Sequence, residues 1–124
     1  LLTGDFSERA YSDSLKAENG EVYVVASGKD SNFSQIPSNK EVEDNIQQGT
    51  GYIHITDNNT LFGTTIYDVP QVEVPIIADM TSSILSRKIE VSKYALIYAG
   101  FQKNIGPSGT ALVIIRDDLY DKLP

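Results

Sequence analysis

Short apolar runs alternate along the chain with stretches of helical spacing, and Gly-, Asn- and Ser-rich segments separate them. Residues 21–27 (EVYVVAS) are β-branched and predict a strand. Residues 52–56 (YIHIT), 74–78 (VPIIA, ending at Asp79), 94–99 (YALIYA) and 111–115 (ALVII) predict four more. Ser7 or Asp5 can cap a first helix running to about Asn19, with Ala10, Tyr11 and Leu15 on one side and Gly20 as the stop. Ser38 and Glu41 stand at capping-box spacing and open a short helix toward Gln47. Thr81 or Ser82 can cap a helix to about Arg87, and Asp117 a final one. Residues 28–37 read as a loop and 57–60 (DNNT) as a turn.

The strand runs are short and nearly continuously apolar, which fits burial on both faces. The expected fold class is α/β, a mainly parallel sheet with helices on both faces. The last pair differs. Residues 100–110 are too few for a helical crossover, which takes about a dozen residues or more, so the final strand should run antiparallel. Ligands of such sheets sit beyond the carboxyl ends of the strands. The polar groups there are 57–60, 79–82 and 102–104, and all three should face one crevice.

Composition narrows the chemistry. With 124 residues the chain suits one domain. A net charge of −7 without a basic cluster argues against nucleic acid as a partner. There is no cysteine, hence no disulfide, thiolate nucleophile or zinc–thiolate site. The opening LLTGDFSERA has neither the charge nor the apolar run of a signal peptide, and no stretch is long enough to span a membrane. The expected compartment is the cytoplasm. The chain starts on Leu1-Leu2-Thr3-Gly4, which reads like the end of a strand, as in a piece of a longer protein.

Lys103 stands just past a buried-looking strand, before Gly106-Pro107-Ser108-Gly109. A loop lysine is ordinarily a solvated charge. At a strand end, desolvation can instead free the amine to attack a carbonyl. Asp79 follows an apolar run directly; it is either an acid at the start of a helix or a carboxylate facing a cation in the crevice. Thr60 needs no explanation beyond turn chemistry, Gln102 can be a surface amide, and Phe6 reads as core. His54, the single histidine, lies within an apolar strand and reads as a satisfied core side chain. No Walker loop, GxGxxG or serine-hydrolase signature is present.

Together the segments ADMTSSILSR (78–87), VSKY (91–94) and LIYAGFQKNIGPSG (96–109) resemble the phosphoserine aminotransferase family. So do YVVASGKD (23–30), NFSQIP (32–37) and HITDNNT (54–60), which carries the resemblance over nearly the whole chain. It implies a type I aminotransferase large domain, with a mainly parallel seven-stranded sheet and one antiparallel strand, of which residues 1–124 would be the central, incomplete part. It implies pyridoxal 5′-phosphate as cofactor. Lys103 then falls on the Schiff-base lysine, and Asp79 on the carboxylate that pairs with the pyridinium nitrogen. Thr60 falls on the threonine at the phenolic oxygen, and Gln102 on a ligand of the phosphate. Phe6 stands where the family has a ring-stacking tryptophan. The implied reaction converts L-glutamate and 3-phosphohydroxypyruvate to 2-oxoglutarate and O-phospho-L-serine, in serine biosynthesis, with a related step in pyridoxine biosynthesis. The implied assembly is a homodimer. The family's phosphate-binding Gly-rich loop, substrate arginine and small domain have no counterpart among these residues. Two other readings stay open: a non-catalytic α/β module binding a phosphorylated ligand, and an inactive fragment.

Overall fold

A computed structural model describes residues 1–17 and 20–121. In chain order they form helix α1 (Asp5–Lys16), helix α2 (Asn39–Asp44), strand β1 (Ile53–Thr56), the short pair β2 (Asn58–Asn59) and β3 (Thr64–Thr65), strands β4 (Ile76–Asp79), β5 (Leu96–Gly100) and β6 (Ala111–Ile115), and helix α3 (Asp117–Tyr120). The main sheet has the order β1-β4-β5-β6. β1, β4 and β5 are parallel, with Thr56 opposite Asp79 and Asp79 opposite Tyr98. β6 runs antiparallel to β5, as the short connection requires.

Alternation along the strands gives the sheet two unlike faces. One carries Ile53, Ile55, Ile76, Ala78, Ile97 and Ala99, all buried in the hydrophobic core. Full burial of an isoleucine such as Ile55 or Ile97 contributes about 1.5–3 kcal/mol. Val42 of α2 and loop residues Val25, Ile66, Val69 and Ile84 complete that core. The other face carries His54, Thr56, Ile77, Asp79, Leu96 and Tyr98, and apart from buried Thr56 these are half-buried. Burial is thus one-sided, not the two-sided burial expected from the apolar runs.

Three predicted elements fall out differently. Residues 21–27 make no strand: Leu2 alone bridges Ser27, through Leu2 N to Ala26 O at 3.0 Å and Gly28 N to Leu2 O at 2.9 Å. β-Branched residues favour an extended backbone, but a strand needs a neighbouring ladder. Residues 81–87 form successive turns instead of a helix. Leu85 is left-handed at φ 63°, the Asn104 amide donates to the Ile84 carbonyl at 2.8 Å, and Ser86 Oγ bonds back to Ser83 O. Serine-rich stretches compete with the helical ladder in this way. Residues 58–59 and 64–65 pair as a small hairpin where a turn was expected.

Helix ends also shift. Gly4 caps α1, and Ser7 sits inside, its Oγ accepting from Thr3 N at 2.8 Å and Gly4 N at 3.0 Å. Ser7 is the buried residue of α1, whereas Leu15 is 51% exposed. The described helix stops at Lys16, and Asn19 lies outside the described residues. Ser38 does cap α2, accepting from Glu41 N, but the helix ends at Asp44, short of Gln47. Arg116, not Asp117, is the cap of α3.

Candidate active site

Beyond the carboxyl ends of β1, β4 and β5 the three polar groups meet, as the topology requires. Asn58 Nδ2 donates to Ser82 Oγ at 2.8 Å, and Asn104 reaches Ile84 O. Lys103 Nζ donates to Thr60 Oγ1 at 3.1 Å, bringing together two candidates that lie 43 positions apart. Both are exposed.

Asp79 ends β4 and is half-buried. Its Oδ1 accepts from Thr81 N at 2.9 Å, and Thr81 Oγ1 accepts from Gly100 N at 3.1 Å. The Gln102 side chain folds over Gly100: a β-carbon there would stand 2.4 Å from Gln102 Oε1. Contacts therefore run from Asp79 through Thr81 and Gly100 to Gln102, the residue before Lys103. Glycine at position 100 lets the amide lie against the strand end. Opposite Asp79 in the register, Thr56 Oγ1 is buried with no hydrogen-bond partner. An orphaned buried hydroxyl is costly unless something else completes it.

Phe6 takes no part in these hydrogen bonds. It is 43% exposed on α1, with the Arg9 guanidinium 5.6 Å from its ring centre, so it is not the core residue its apolarity suggested. The segment leading into its helix is nonetheless tied to the site: Thr3 Oγ1 donates to Asn59 Oδ1 at 3.1 Å, beside Thr60. A cavity of about 460 Å³ opens elsewhere, between α1, residues 20–25 and residues 47–54, and touches neither Lys103 nor Asp79. Strand-end chemistry, not cavity size, locates the candidate site.

Two polar arrangements join partners that the order of residues does not reveal. Asp57, assigned only to a turn, is fully buried, and Arg87 NH2 meets its Oδ1 at 2.8 Å. Ser83 Oγ donates to the other carboxylate oxygen, and the same guanidinium nitrogen donates to Ile66 O at 2.9 Å. This pair pins the 81–87 turns onto the end of β1. The acid directly after the β1 strand and the lone arginine in the serine-rich turns were the available signal, but no spacing rule joins them. In the second, His54 is satisfied as expected, though half-buried: its Nε2 lies 2.9 Å from the Tyr98 hydroxyl. Burial, then the negative charge of Asp79, push the Tyr98 hydroxyl up to about 12. Burial lowers His54, against an upward pull from Asp79.

Comparison with known proteins gives the family. Residues 14–124 match the family profile "Aminotransferase class-V". A phosphoserine aminotransferase of Listeria monocytogenes serovar 1/2a is 49% identical over 98% of this chain and 32% of its own length. That of Geobacillus kaustophilus is 47% identical over 100% and 33%. The solved phosphoserine aminotransferase of Bacillus circulans subsp. alkalophilus superposes with a TM-score of 0.90 at 36% identity, covering 100% of this chain and 35% of that one. The pyridoxal-phosphate-bound phosphoserine aminotransferase of Trichomonas vaginalis does so at 0.87 and 31%, covering 98% and 34%. The chain thus spans about a third of the length of these relatives. Its sequence over nearly all its length, and a mixed sheet of the same fold, agree on one conclusion: the chain belongs to the class-V aminotransferases.

Proposed function

We propose that residues 1–124 are the central part of the large, cofactor-binding domain of a phosphoserine aminotransferase. The complete protein would carry an amino group from L-glutamate to 3-phosphohydroxypyruvate, giving 2-oxoglutarate and O-phospho-L-serine, in serine biosynthesis and the related pyridoxine step. It would work as a cytoplasmic homodimer on small-molecule substrates. The observation that carries this reading is the Lys103 amine on the Thr60 hydroxyl at 3.1 Å, with the half-buried Asp79 carboxylate at a neighbouring strand end.

The residues fit pyridoxal 5′-phosphate. Lys103 brings an amine to Thr60, and Asp79 a carboxylate to a neighbouring strand end, which suits a polar aromatic ligand with an aldehyde at one place and a ring nitrogen at another. When bound, that cofactor supplies an aldehyde and an electron-withdrawing ring. Lys103 offers the amine that holds the aldehyde carbon and, once free, carries a proton on Nζ. Asp79 sets a negative charge for the ring nitrogen, favouring its protonated form. Thr60 offers its hydroxyl to the phenolic oxygen and Gln102 its amide to the phosphate. Phe6 offers a stacking face, smaller than an indole.

The test uses the complete enzyme. Borohydride reduction with pyridoxal 5′-phosphate, mapped by mass spectrometry, should mark Lys103, and Lys103→Ala and Lys103→Arg should both lose the mark. Asp79→Ala should keep the mark and lose transamination. Adducts scattered over many lysines and indifferent to Lys103→Ala would rule the site out. Full anion affinity in Lys103→Arg, with no adduct in the wild type, would favour the simple binding module.

A further inference from the structure

His54, Tyr98 and Asp79 share the half-buried face of the sheet. The β4–β5 register sets Tyr98 opposite Asp79, and the β1–β4 register sets His54 opposite Ile77, two positions before Asp79. Met80 N donates to Tyr98 O at 2.8 Å, which holds that register just past Asp79. His54 Nε2 lies 2.9 Å from the Tyr98 hydroxyl across the intervening strand. Neither side chain belongs to the cofactor-holding set proposed above.

We propose that His54 and Tyr98 are a positioning pair for Asp79: His54 Nε2–H donates to the Tyr98 oxygen, and the Tyr98 O–H donates to the Asp79 carboxylate. The inference rests on the reading of Asp79 as the charge that faces the cofactor's ring nitrogen. Asp79 already accepts one fixed donor, Thr81 N, at 2.9 Å. A second donor locks its rotamer, as outer partners do for the ligands of a metal. The phenol keeps its proton because burial and the carboxylate raise it to about 12. Burial keeps the imidazole neutral, so it has a single N–H to give. The tautomer decides the arrangement. With the proton on Nδ1, Nε2 would consume the one phenolic hydrogen and Asp79 would receive none.

The experiment compares the complete enzyme, loaded with pyridoxal 5′-phosphate, with its Tyr98→Phe, His54→Gln and double variants. Nitrogen-15 NMR of the wild-type His54 ring should show a neutral, Nε2-protonated imidazole whose signals move in Tyr98→Phe. Each single variant should keep the Lys103 adduct and the KM for glutamate while kcat falls roughly 10- to 100-fold, and the double variant should be no worse than the singles. An Nδ1-protonated ring, or wild-type kcat in both folded single variants, overturns the pair. Because the tautomer is measured on the wild type, a variant that fails to fold leaves the pair open to refutation. A wild type without the Lys103 adduct would sink the parent reading and this one with it. A normal adduct and an Asp79-dependent turnover beside indifferent His54 and Tyr98 variants would sink this one alone.

Discussion

Asp57 is a carboxylate with no exposed surface, and the Arg87 guanidinium 2.8 Å away is what makes that burial tolerable. The same guanidinium lies 5.3 Å from the centre of the Tyr67 ring and bonds Ile66 O. Arg87→Met would leave a desolvated charge and an open carbonyl while keeping most of the side-chain volume. It is expected to cost about 3–5 kcal/mol of stability, read as a lowered denaturant midpoint. A loss within the range of a surface ion pair, below about 1 kcal/mol, would mean that Asp57 finds water instead. The phenols make a second test. Burial leads in raising both Tyr94 and Tyr98 to about 12, with the charge of Asp57 or Asp79 adding to it. A phenol whose folded value exceeds its unfolded one stabilises the fold below the unfolded value and stops doing so above the folded one. Stability should therefore fall between about pH 10 and pH 12 as both ionise, which phenolate absorbance measured beside denaturant midpoints would show. Two phenols that ionise at about pH 10 without loss of stability would contradict it.

Among the elements, those specified by local chemistry are legible and those specified by neighbours are not. Ser38 and Glu41 announce α2, and the structure shows the Ser38 hydroxyl accepting from Glu41 N at 3.2 Å. Ser38→Ala should destabilise the fold by about 0.5–2 kcal/mol, measured by chemical denaturation. A neutral result would show that burial of Val42 alone holds this short helix. The apolar runs at 52–56, 74–78, 94–99 and 111–115 became the strands Ile53–Thr56, Ile76–Asp79, Leu96–Gly100 and Ala111–Ile115, and loop length alone set the direction of the last one. The run at 21–27 has equal β-propensity but only Leu2 to pair with. The stretch 81–87 has helix-cap residues at its start. Its serines bond backward, and Arg87 is drawn to Asp57, so the chain turns instead. Of the candidate site, Lys103, Thr60, Asp79 and Gln102 were legible as residues, from a motif and from their place after strands. Their mutual contacts were not, because 43 positions separate Lys103 from Thr60.

At the scale of the molecule, the sheet joins one dry face to one half-wet face and carries its polar residues at one end. β6 is the edge of this sheet in the 124-residue chain, and Val113 on it is 58% exposed. An open apolar edge invites a second strand. The isolated chain should self-associate in light scattering, and Val113→Lys should reduce it; a monodisperse wild type would refute the expectation. Among the described residues no helix is long and apolar enough to cross a membrane. By itself the sequence determined four of its five strand-forming runs, the antiparallel return and the family, because these rest on local propensity, chain length and a contiguous motif. The tertiary structure alone decided that Asp57 pairs with Arg87, that His54 meets Tyr98 across a strand, and that 21–27 forms no strand. Those outcomes depend on which backbone lies alongside which, and hydrogen bonds between distant segments leave no periodic trace in the order of residues.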